Sequence, residues 1–390
     1  MANWSDLAVD ILREIVLKLD SAQDLVYFSV VCESWQFAYS TAKSNWTRTM
    51  PWLMLPENAQ NSPNYPRITY CPNKQRCYQL HLPQTYGARC WGSSCGWVVV
   101  LDPNLELYML NPITKSRICL PPLSPMLNVS VKDEDGPAFY HTLIIEKAVV
   151  IEADEKYIVI TTPGSFYRGV KYATPGDRKW TEIYFPDTNK RYVSDVTRWG
   201  SNLLFINDFG RVGYCEISTL LSSQPVTLME YIPQPSFLSD YIVPLSFNCK
   251  ALNQVYLLES FGELLMVFRY KIELYDDDPW ECQTINFKVY KFNFETKIWA
   301  QVNDLGDVAI IVGSNTSLSI RASRIHNCRR NCIYFSNDQW LFRNGNPLIF
   351  GGDKADNGLF DITNQALETV YRSHENRSKL SSPFWFMPKF

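Results

Sequence analysis

The sequence predicts an α+β multidomain protein in which a small N-terminal three-helix unit precedes an all-β domain, which we expect to be a β-propeller. Apolar residues recur at helical spacing in the range 4–46, whereas short apolar runs alternate with turn signals from residue 67 to residue 390. The aromatic content of 14% favours strands in the longer part, because large rings fit pleated surfaces. The proline-rich range 47–66 is assigned to a linker or an irregular packing segment.

The three helices are predicted from amphipathic spacing. An apolar residue stands at every fourth position of the first helix, at Leu7, Ile11, Ile15 and Leu19, and Leu12 and Val16 widen the stripe. Ser5 can cap its start. A second helix carries Leu25, and a third carries Trp35 and Tyr39. Three helices this short bury little surface, so the unit is marginal without a partner.

The β domain contains a recurring unit in which an aromatic strand meets a turn. Its instances begin at Leu107-Tyr108, Lys171-Tyr172, Gly213-Tyr214, Val289-Tyr290 and Leu359-Phe360, with Cys77-Tyr78 as a sixth candidate. Six units in roughly 300 residues give a period of about 50, which is the range of kelch-type propeller blades. We therefore favour a propeller of kelch-like blades, with a sandwich or split barrel as alternatives.

Composition indicates which cellular compartment and which classes of partner to expect. The 390 residues carry a net charge of −3, which argues against a general nucleic-acid binder. The start is acidic rather than basic, and no apolar run is long enough to span a membrane. The eleven cysteines are scattered and odd in number, as is typical of reduced thiols. We expect a protein of the cytoplasm or nucleus with no membrane partner.

One motif resembles a catalytic element. Gly92-Ser-Ser94-Cys-Gly96 matches the Gly-x-Ser-x-Gly pattern of an esterase nucleophile elbow, which requires a helix after the serine. Here Trp97 opens a strand, and none of the four histidines lies in a partner motif. We interpret the segment as a turn that leads into a blade, and we expect no catalytic residues.

No metal or cofactor is expected. The close cysteine pairs Cys71/Cys77, Cys90/Cys95 and Cys328/Cys332 differ in spacing and lack the matched pairs of a zinc site. The acidic runs 133–135 and 276–278 lack the glycine and terminal glutamate of a calcium loop.

The N-terminal segment resembles an F-box. The stretch from Trp4 to Leu19, followed by Asp24-Leu25 and Val30-Val-Cys-Glu-Ser-Trp35, follows the family pattern of a Leu-Pro opening, an acidic-aliphatic run and a closing Val-Cys-x-x-Trp. Ala8 stands where the family has proline, which puts the affinity of the adaptor contact in doubt. The resemblance implies an adaptor-binding set of Leu7, Ala8, Ile11, Leu12, Ile15, Leu19, Leu25, Val31, Cys32 and Trp35.

The rest of the chain is similar to plant F-box proteins with a kelch-like C-terminal domain of the KIB type. The motifs occur in order and include Gly92-Ser-x-x-Gly-Trp97, Leu110-Asn-Pro-x-Thr114, the run from Tyr256 to Val267, Asn331-Cys-Ile-Tyr-Phe335 and the closing Pro383-Phe-Trp-Phe386. We expect that aromatic tail to close the propeller ring against the region 67–82.

These resemblances imply a substrate-recognition subunit of a cullin-RING (SCF-type) ubiquitin ligase, which is not itself an enzyme. The F-box would bind a Skp-type adaptor and through it a cullin, and the β domain would hold an unknown protein target. Loops 124–138 and 271–284 are candidates for target contacts, although we favour the interpretation that they are tolerated insertions. The alternative is a propeller enzyme or carbohydrate-binding protein whose helices form a cap. A third possibility is an F-box-like protein that has lost adaptor binding. Exposure of Leu7, Ile11 and Ile15 distinguishes docking from capping.

Overall fold

The structure is a computed structural model of the chain. It describes residues 4–19, 22–42, 50–58, 65–123, 145–163, 169–185, 193–207, 210–222, 224–232, 235, 249–274, 281–338, 340–343, 346–349, 356–372 and 381–389. The proposed target-contact loop 124–138 and the acidic runs 133–135 and 276–278 lie outside these residues.

The N-terminal unit contains three helices, as predicted. They are α1 (Val9–Lys18), α2 (Ala22–Ser29) and α3 (Glu33–Ala42), preceded by a 3₁₀ turn at Trp4–Asp6. A further short helix, α4 (Ile217–Leu220), and 3₁₀ turns at Pro83–Thr85 and Ala322–Arg324 lie within the β domain. No helix in the described part of the chain combines the length and the apolar character needed to cross a membrane.

In the described part of the chain, the β domain contains 28 strands. They are β1 (Trp52–Met54), β2 (Arg67–Cys71), β3 (Arg76–Leu80), β4 (Arg89–Gly92), β5 (Val98–Leu101), β6 (Leu107–Leu110), β7 (Arg117–Cys119), β8 (Ile145–Ala153), β9 (Lys156–Pro163), β10 (Val170–Ala173), β11 (Thr181–Tyr184), β12 (Val193–Trp199), β13 (Asn202–Asn207), β14 (Val212–Glu216), β15 (Val226–Thr227), β16 (Met229–Ile232), β17 (Cys249–Ser260), β18 (Glu263–Leu274), β19 (Glu281–Asn293), β20 (Ile298–Val302), β21 (Val308–Val312), β22 (Leu318–Arg321), β23 (Cys332–Phe335), β24 (Trp340–Arg343), β25 (Asn346–Ile349), β26 (Gly358–Asp361), β27 (Ala366–Glu368) and β28 (Phe384–Phe386).

The strands form six blades, which confirms the propeller. From the central channel outward, blade 1 is β28-β1-β2-β3, blade 2 is β4 to β7 in order, and blade 3 is β8 to β11 with β15 at its edge. Blade 4 is β12-β13-β14-β16, blade 5 is β17 to β20 in order, and blade 6 is β22-β21-β23-β26-β27. The hairpin β24-β25 lies within the chain segment of blade 6. Neighbouring strands are antiparallel except β11-β15 and β21-β23.

Each pair of adjacent blades shares one apolar core, because successive side chains of a strand point to opposite faces. In β6, Leu107 and Met109 pack toward blade 3, whereas Tyr108 and Leu110 pack toward blade 1. The same division gives six cores around the ring. Strands such as β5 are therefore buried on both faces and read as continuous apolar runs rather than alternating ones.

The ring closes where the C-terminal strand completes the first blade. Strand β28 pairs with β1 in the register Leu53↔Trp385 and forms the inner edge of blade 1. Trp385 is fully buried and packs against blade 6, with its ring 6.0 Å from that of Tyr334. The aromatic tail thus closes the ring, as expected. Its direct partner is β1, however, and the region 67–82 follows as the next strands of the same sheet.

Two segment assignments differ from the sequence analysis. Strand β1 lies inside the range 47–66 that we assign to a linker, because Trp52 and Met54 join the apolar core between blades 1 and 2. The range 271–284 is not an irregular insertion at its described ends, since β18 continues to Leu274 and β19 begins at Glu281. The aromatic repeat is informative, because it marks the third strand of blades 2, 3, 4 and 5.

The close approach at the ring closure yields a stability prediction. A Cβ atom added at Gly92 would lie 1.7 Å from the backbone oxygen of Trp385, whereas one at Gly213 would meet its nearest neighbour at 3.4 Å. We expect Gly92→Ala to destabilise the β domain by about 1–3 kcal/mol or more through overpacking. Gly213→Ala is the matched control and should have a smaller effect. Urea unfolding followed by tryptophan fluorescence measures both, and equal midpoints for the two variants would contradict this account.

Candidate functional site

The helical unit has an apolar core of its own. Leu12, Val16, Leu25, Phe28, Ala38 and Ala42 are buried in it, and every other side chain in this cluster also belongs to residues 4–42. Leu12 and Leu25 were expected to bind an adaptor, but the structure places both in this core. They hold the three helices together, so a partner cannot reach them without opening the unit.

Several other apolar side chains of the unit are exposed to solvent. Of the expected adaptor-binding residues, Ile11 is 52% exposed and Val31 is 53% exposed, and Ala8 is also exposed. The structure adds four large exposed side chains that the sequence analysis did not single out as anchors, namely Trp4, Tyr27, Val30 and Phe37. Exposed apolar groups at this density are typical of a protein-docking surface.

The remaining expected residues are intermediate. Leu7, Ile15, Leu19 and Trp35 are partly buried and pack against the helical core. Trp35 also donates from Nε1 to the Trp4 carbonyl at 3.1 Å, and the Ser34 hydroxyl donates to the Ser5 carbonyl at 3.2 Å. These bonds tie the N-terminal turn to the start of α3. The Trp4 ring, which is 67% exposed, is therefore held beside the helices.

Ala8 is the N-cap residue of α1, where the sequence analysis expected Ser5 to cap the helix. Its φ of −59° and ψ of 139° are extended values, and no side chain caps the helix. Proline requires a φ near −65°, so the backbone at this position has the geometry that the family's proline would impose. Cys32 directly precedes α3, and a hydrogen bond from the Ser34 hydroxyl lowers the pKa of its thiol.

A second candidate surface lies at one end of the central channel, where a cavity is formed between the ends of the innermost strands. We call this cavity and its lining residues the channel mouth. The cavity has a volume of about 340 Å³ and receives lining residues from all six blades. Glu152, Arg198 and Glu259 come from the inner strands of blades 3, 4 and 5. Thr316 and Ser319 come from blade 6, Ser94 from blade 2, and Lys389 follows the last strand of blade 1.

Charged groups of both signs surround this channel mouth. Lys389 Nζ lies 3.0 Å from Glu152 Oε2, and the Arg198 guanidinium donates to the Glu152 carbonyl at 2.7 Å. Glu259 accepts a hydrogen bond from the Gly262 backbone at 2.7 Å. Around the ring the charges therefore alternate in sign and sum to zero. The mouth is polar and hydrogen-bonding without favouring a net anion or a net cation.

Below the mouth, a buried carboxylate links four blades. Lys147 of blade 3 donates to Asp195 of blade 4 at 2.6 Å, and both side chains are nearly or fully buried. Asp195 also accepts from the Leu257 backbone of blade 5 at 3.2 Å and from the Ser317 hydroxyl of blade 6. A buried charge is tolerated only when it is paired and hydrogen-bonded, and this arrangement meets both conditions.

A second buried charge network joins blades 5 and 6. Lys271 donates to Asp338 at 2.6 Å, Arg269 donates to the same carboxylate at 3.3 Å, and the Tyr256 hydroxyl donates to it as well. Arg269 also donates to Asp356 at 2.9 Å. Burial alone raises the pKa of Asp338, but the positive charges of Lys271 and Arg269 outweigh it and lower that pKa to about 2.

The serine motif has a structural role. The Ser93 hydroxyl donates to the Trp97 carbonyl at 2.6 Å and accepts from the backbone N–H groups of Cys95 and Trp97, which fixes the turn before β5. Ser94 lines the channel mouth, and among the described residues the lining includes no histidine. A strand rather than a helix follows, as the sequence analysis expected.

The nine cysteines whose side chains the structure describes carry free thiols. Burial raises the pKa of Cys90 and of Cys215 to about 12, so these two thiols are held in the neutral form. Within the part of the chain that the structure describes, no three His, Cys, Asp or Glu side chains converge as a metal site would require.

The described residues form an N-terminal three-helix unit followed by a six-bladed β-propeller. Residues 68–361 match the family described as the KIB1-4 beta-propeller, and the chain belongs to that family. The match begins within β2, so it includes β2 and β3 of blade 1 but not β1 or β28, and it ends with β26 of blade 6.

Relatives from Arabidopsis thaliana match almost the whole chain. A probable F-box protein is 24% identical over 100% of this chain and 97% of its own length. F-box protein SKIP23 is 26% identical over 96% and 93%, and F-box/kelch-repeat protein KIB1 is 26% identical over 91% and 82%. Among solved structures, a putative 6-phosphogluconolactonase from Bacteroides uniformis aligns with a TM-score of 0.30 at 10% identity, covering 64% of this chain and 81% of its own, a likeness too low to bear on function.

The charge network between blades 5 and 6 predicts how stability depends on pH. Asp338→Asn leaves Lys271 buried without its carboxylate, and we expect a loss of about 3–5 kcal/mol at pH 7. Because the pKa of Asp338 is lowered from 3.8 to about 2, its contribution is fully present above pH 3.8 and is lost as the pH falls through 2. The difference between wild type and variant should therefore shrink by about 2 kcal/mol toward pH 2.

Urea unfolding of both proteins between pH 7 and pH 2 measures this difference. Glu106→Gln is the control, since it breaks an exposed pair in which Glu106 lies 3.1 Å from Arg117. It should cost less than about 1 kcal/mol at every pH. If the difference in the free energy of unfolding between wild type and Asp338→Asn stays constant with pH, the role assigned to the Asp338 carboxylate is wrong.

Proposed function

We propose that this protein is the substrate-recognition subunit of a cullin-RING ubiquitin ligase of the SCF type. The N-terminal helical unit binds a Skp-type adaptor and, through this adaptor, a cullin. The propeller holds a protein target. Other subunits supply the chemistry of ubiquitin transfer. The receptor contributes proximity, which raises the effective concentration of target lysines near the conjugating enzyme that carries ubiquitin. The acting compartment in this proposal is the cytoplasm or the nucleus.

The observation that carries this proposal is the exposure of apolar side chains on a unit that already has its own core. Ile11 and Val31 are each about half exposed, and Val30 is 72% exposed. Burial of such groups against a partner releases water and supplies binding free energy. The relatives that match nearly the full length of this chain are named as F-box proteins, and this supports the same function.

The cap alternative requires these side chains to be covered by the β domain. Leu7 and Ile15 are partly covered, and they pack against the helical core. Ile11, which follows Leu7 by one helical turn, is open to solvent. This pattern favours docking over capping. The adaptor would then bind partly buried and exposed residues on a helical unit that is already folded.

Adaptor binding should depend on Ile11. We expect Ile11→Asp to weaken binding to a purified Skp-type adaptor by about 2–4 kcal/mol, since a charge would replace a central apolar anchor. The side chain is already half exposed, so the helical unit should stay folded. Ile298→Asp is the matched control, because Ile298 is 62% exposed and lies on the propeller. Calorimetry measures the affinities, and far-UV circular dichroism measures helix content.

Leu12→Asp separates docking from folding in the same assay. It places a charge in the helical core, so both helix content and adaptor binding should fall. Ile11→Asp should lose binding alone. Full adaptor affinity in the Ile11→Asp variant, or equal losses with Ile298→Asp, would count against the proposed function.

A further inference from the structure

Three sequence motifs that the proposed function does not use meet beside the channel mouth. Residues 387–389, which we call the strap, directly follow the aromatic strand β28 and lie across blade 2. The Met387 backbone N–H donates to the Ser93 carbonyl at 2.9 Å, and the Asn111 side-chain amide donates to the Lys389 carbonyl at 3.1 Å. Ser93 belongs to the Gly-Ser-x-x-Gly-Trp motif and Asn111 to the Leu-Asn-Pro-x-Thr motif. These two motifs therefore hold the chain that follows the closing aromatic motif.

Two local features of blade 2 are shaped for the strap. Asn111 Oδ1 accepts from the backbone N–H groups of Ile113 and Thr114 at 2.9 and 3.0 Å, which fixes the side chain with its amide group toward the strap. Gly96 has a φ of +89°, and a Cβ atom added there would lie 2.5 Å from Lys389 Cβ. Glycine adopts this φ without cost and leaves room for the strap.

The two ends of the strap are held with different strength. At the near end Phe386 and Pro388 are buried, and Met387 is bonded through its backbone. At the far end Lys389 is exposed, and its Nζ lies 3.0 Å from Glu152 Oε2 of blade 3, with both side chains about half exposed. An ion pair that water reaches is weak and is screened by salt. The far end is therefore the part that can open while blade 1 stays paired.

The strap covers part of the channel mouth. Lys389 lines the cavity together with Cys95, which directly precedes Gly96 beneath the strap. Cys95 is 6% exposed, and burial raises the pKa of its thiol, so the thiol is neutral and unreactive while it is covered. Release of Lys389 would remove one wall of the cavity and expose this thiol.

We propose that the strap is a salt-sensitive latch on the channel mouth. While Lys389 is paired with Glu152 the latch is closed, the cavity has its volume of about 340 Å³, and Cys95 is covered. When the ion pair separates, the far end of the strap lifts from blade 2 and the mouth widens, while β28 stays paired with β1. The latch acts on the propeller alone and does not depend on the proposed function.

Thiol labelling of the full chain tests the latch. Iodoacetamide is added at low and at high salt, and peptide mass spectrometry follows the modification of Cys95 and Cys215 separately. Cys215 is buried between blades 3 and 4, so its labelling reports opening of the whole β domain. The labelling rate of a covered thiol follows the fraction of molecules that are open. We expect high salt to speed the labelling of Cys95 by about two- to fivefold, as the loss of an exposed ion pair implies, with no such gain at Cys215.

Charge variants assign the effect to the ion pair. Glu152→Gln should be labelled at Cys95 as fast at low salt as wild type is at high salt, and it should show no further salt dependence. The exchange of both charges, Glu152→Lys with Lys389→Glu, should restore slow labelling. Glu263→Gln is the matched control, because it breaks an equally exposed pair with Lys291 on blade 5.

Glycine variants test the close contact under the strap. Gly96→Ala should speed the labelling of Cys95, because the added Cβ collides with Lys389. Gly176→Ala controls for backbone strain, since Gly176 has a similar φ of +96° and an added Cβ would meet nothing within 4 Å. The inference is overturned if Cys95 and Cys215 are labelled in parallel, if Glu152→Gln is labelled at Cys95 at the wild-type rate, or if the two glycine variants behave alike.

Discussion

The closure of the ring by β28 against β1 is the constraint on which the rest of the β domain depends. The two strands come from opposite ends of the β domain, and their pairing completes blade 1. Each blade is covered on both faces by its neighbours, so an open ring would expose two apolar blade faces to water. Trp385 and Gly92 show how tightly the closure is made, because the backbone at Trp385 leaves no room for a side chain at Gly92. Stability of all six blades is therefore coupled through one short strand pair.

The polar interior follows from the same geometry. The inner strands carry buried charged groups, among them Lys147 of β8 and Asp195 of β12. Asp195 accepts hydrogen bonds from blades 3, 5 and 6 while its backbone belongs to blade 4. Removal of Lys147 would leave the buried charge of Asp195 without its ion-pair partner. Such a network adds little net stability over an apolar core, but it fixes the relative positions of the blades. We infer that the network keeps neighbouring blades in fixed positions relative to one another around the ring.

The sequence predicted the fold class and much of the blade repeat, because strand periodicity and aromatic turns are local signals. Tyr108, Tyr172, Tyr214 and Tyr290 each mark the third strand of a blade. Strand β1 was missed since three residues among prolines carry no periodic signal, and its strand character comes from pairing with β2 and with β28, the second of which is more than 300 residues away. In the helical unit the spacing identified the apolar residues but not which of them are exposed. Leu12 and Ile11 are adjacent and both apolar, and only the packing of α3 separates core from surface. The channel mouth could not be predicted, because its residues come from six distant segments.

The two surfaces differ in the physics by which they would bind. The helical unit exposes Ile11, Val30 and Val31, and contact through such groups gains from apolar burial that depends little on salt. The mouth offers hydroxyls and balanced charges on the ends of rigid inner strands, where geometry rather than area decides affinity. A receptor of the proposed kind needs this asymmetry. Its contact with the ligase would have to persist whichever target is bound, whereas its contact with a target would have to discriminate among sequences. Apolar anchors on an independent bundle meet the first need, and a polar site fixed by ring closure meets the second.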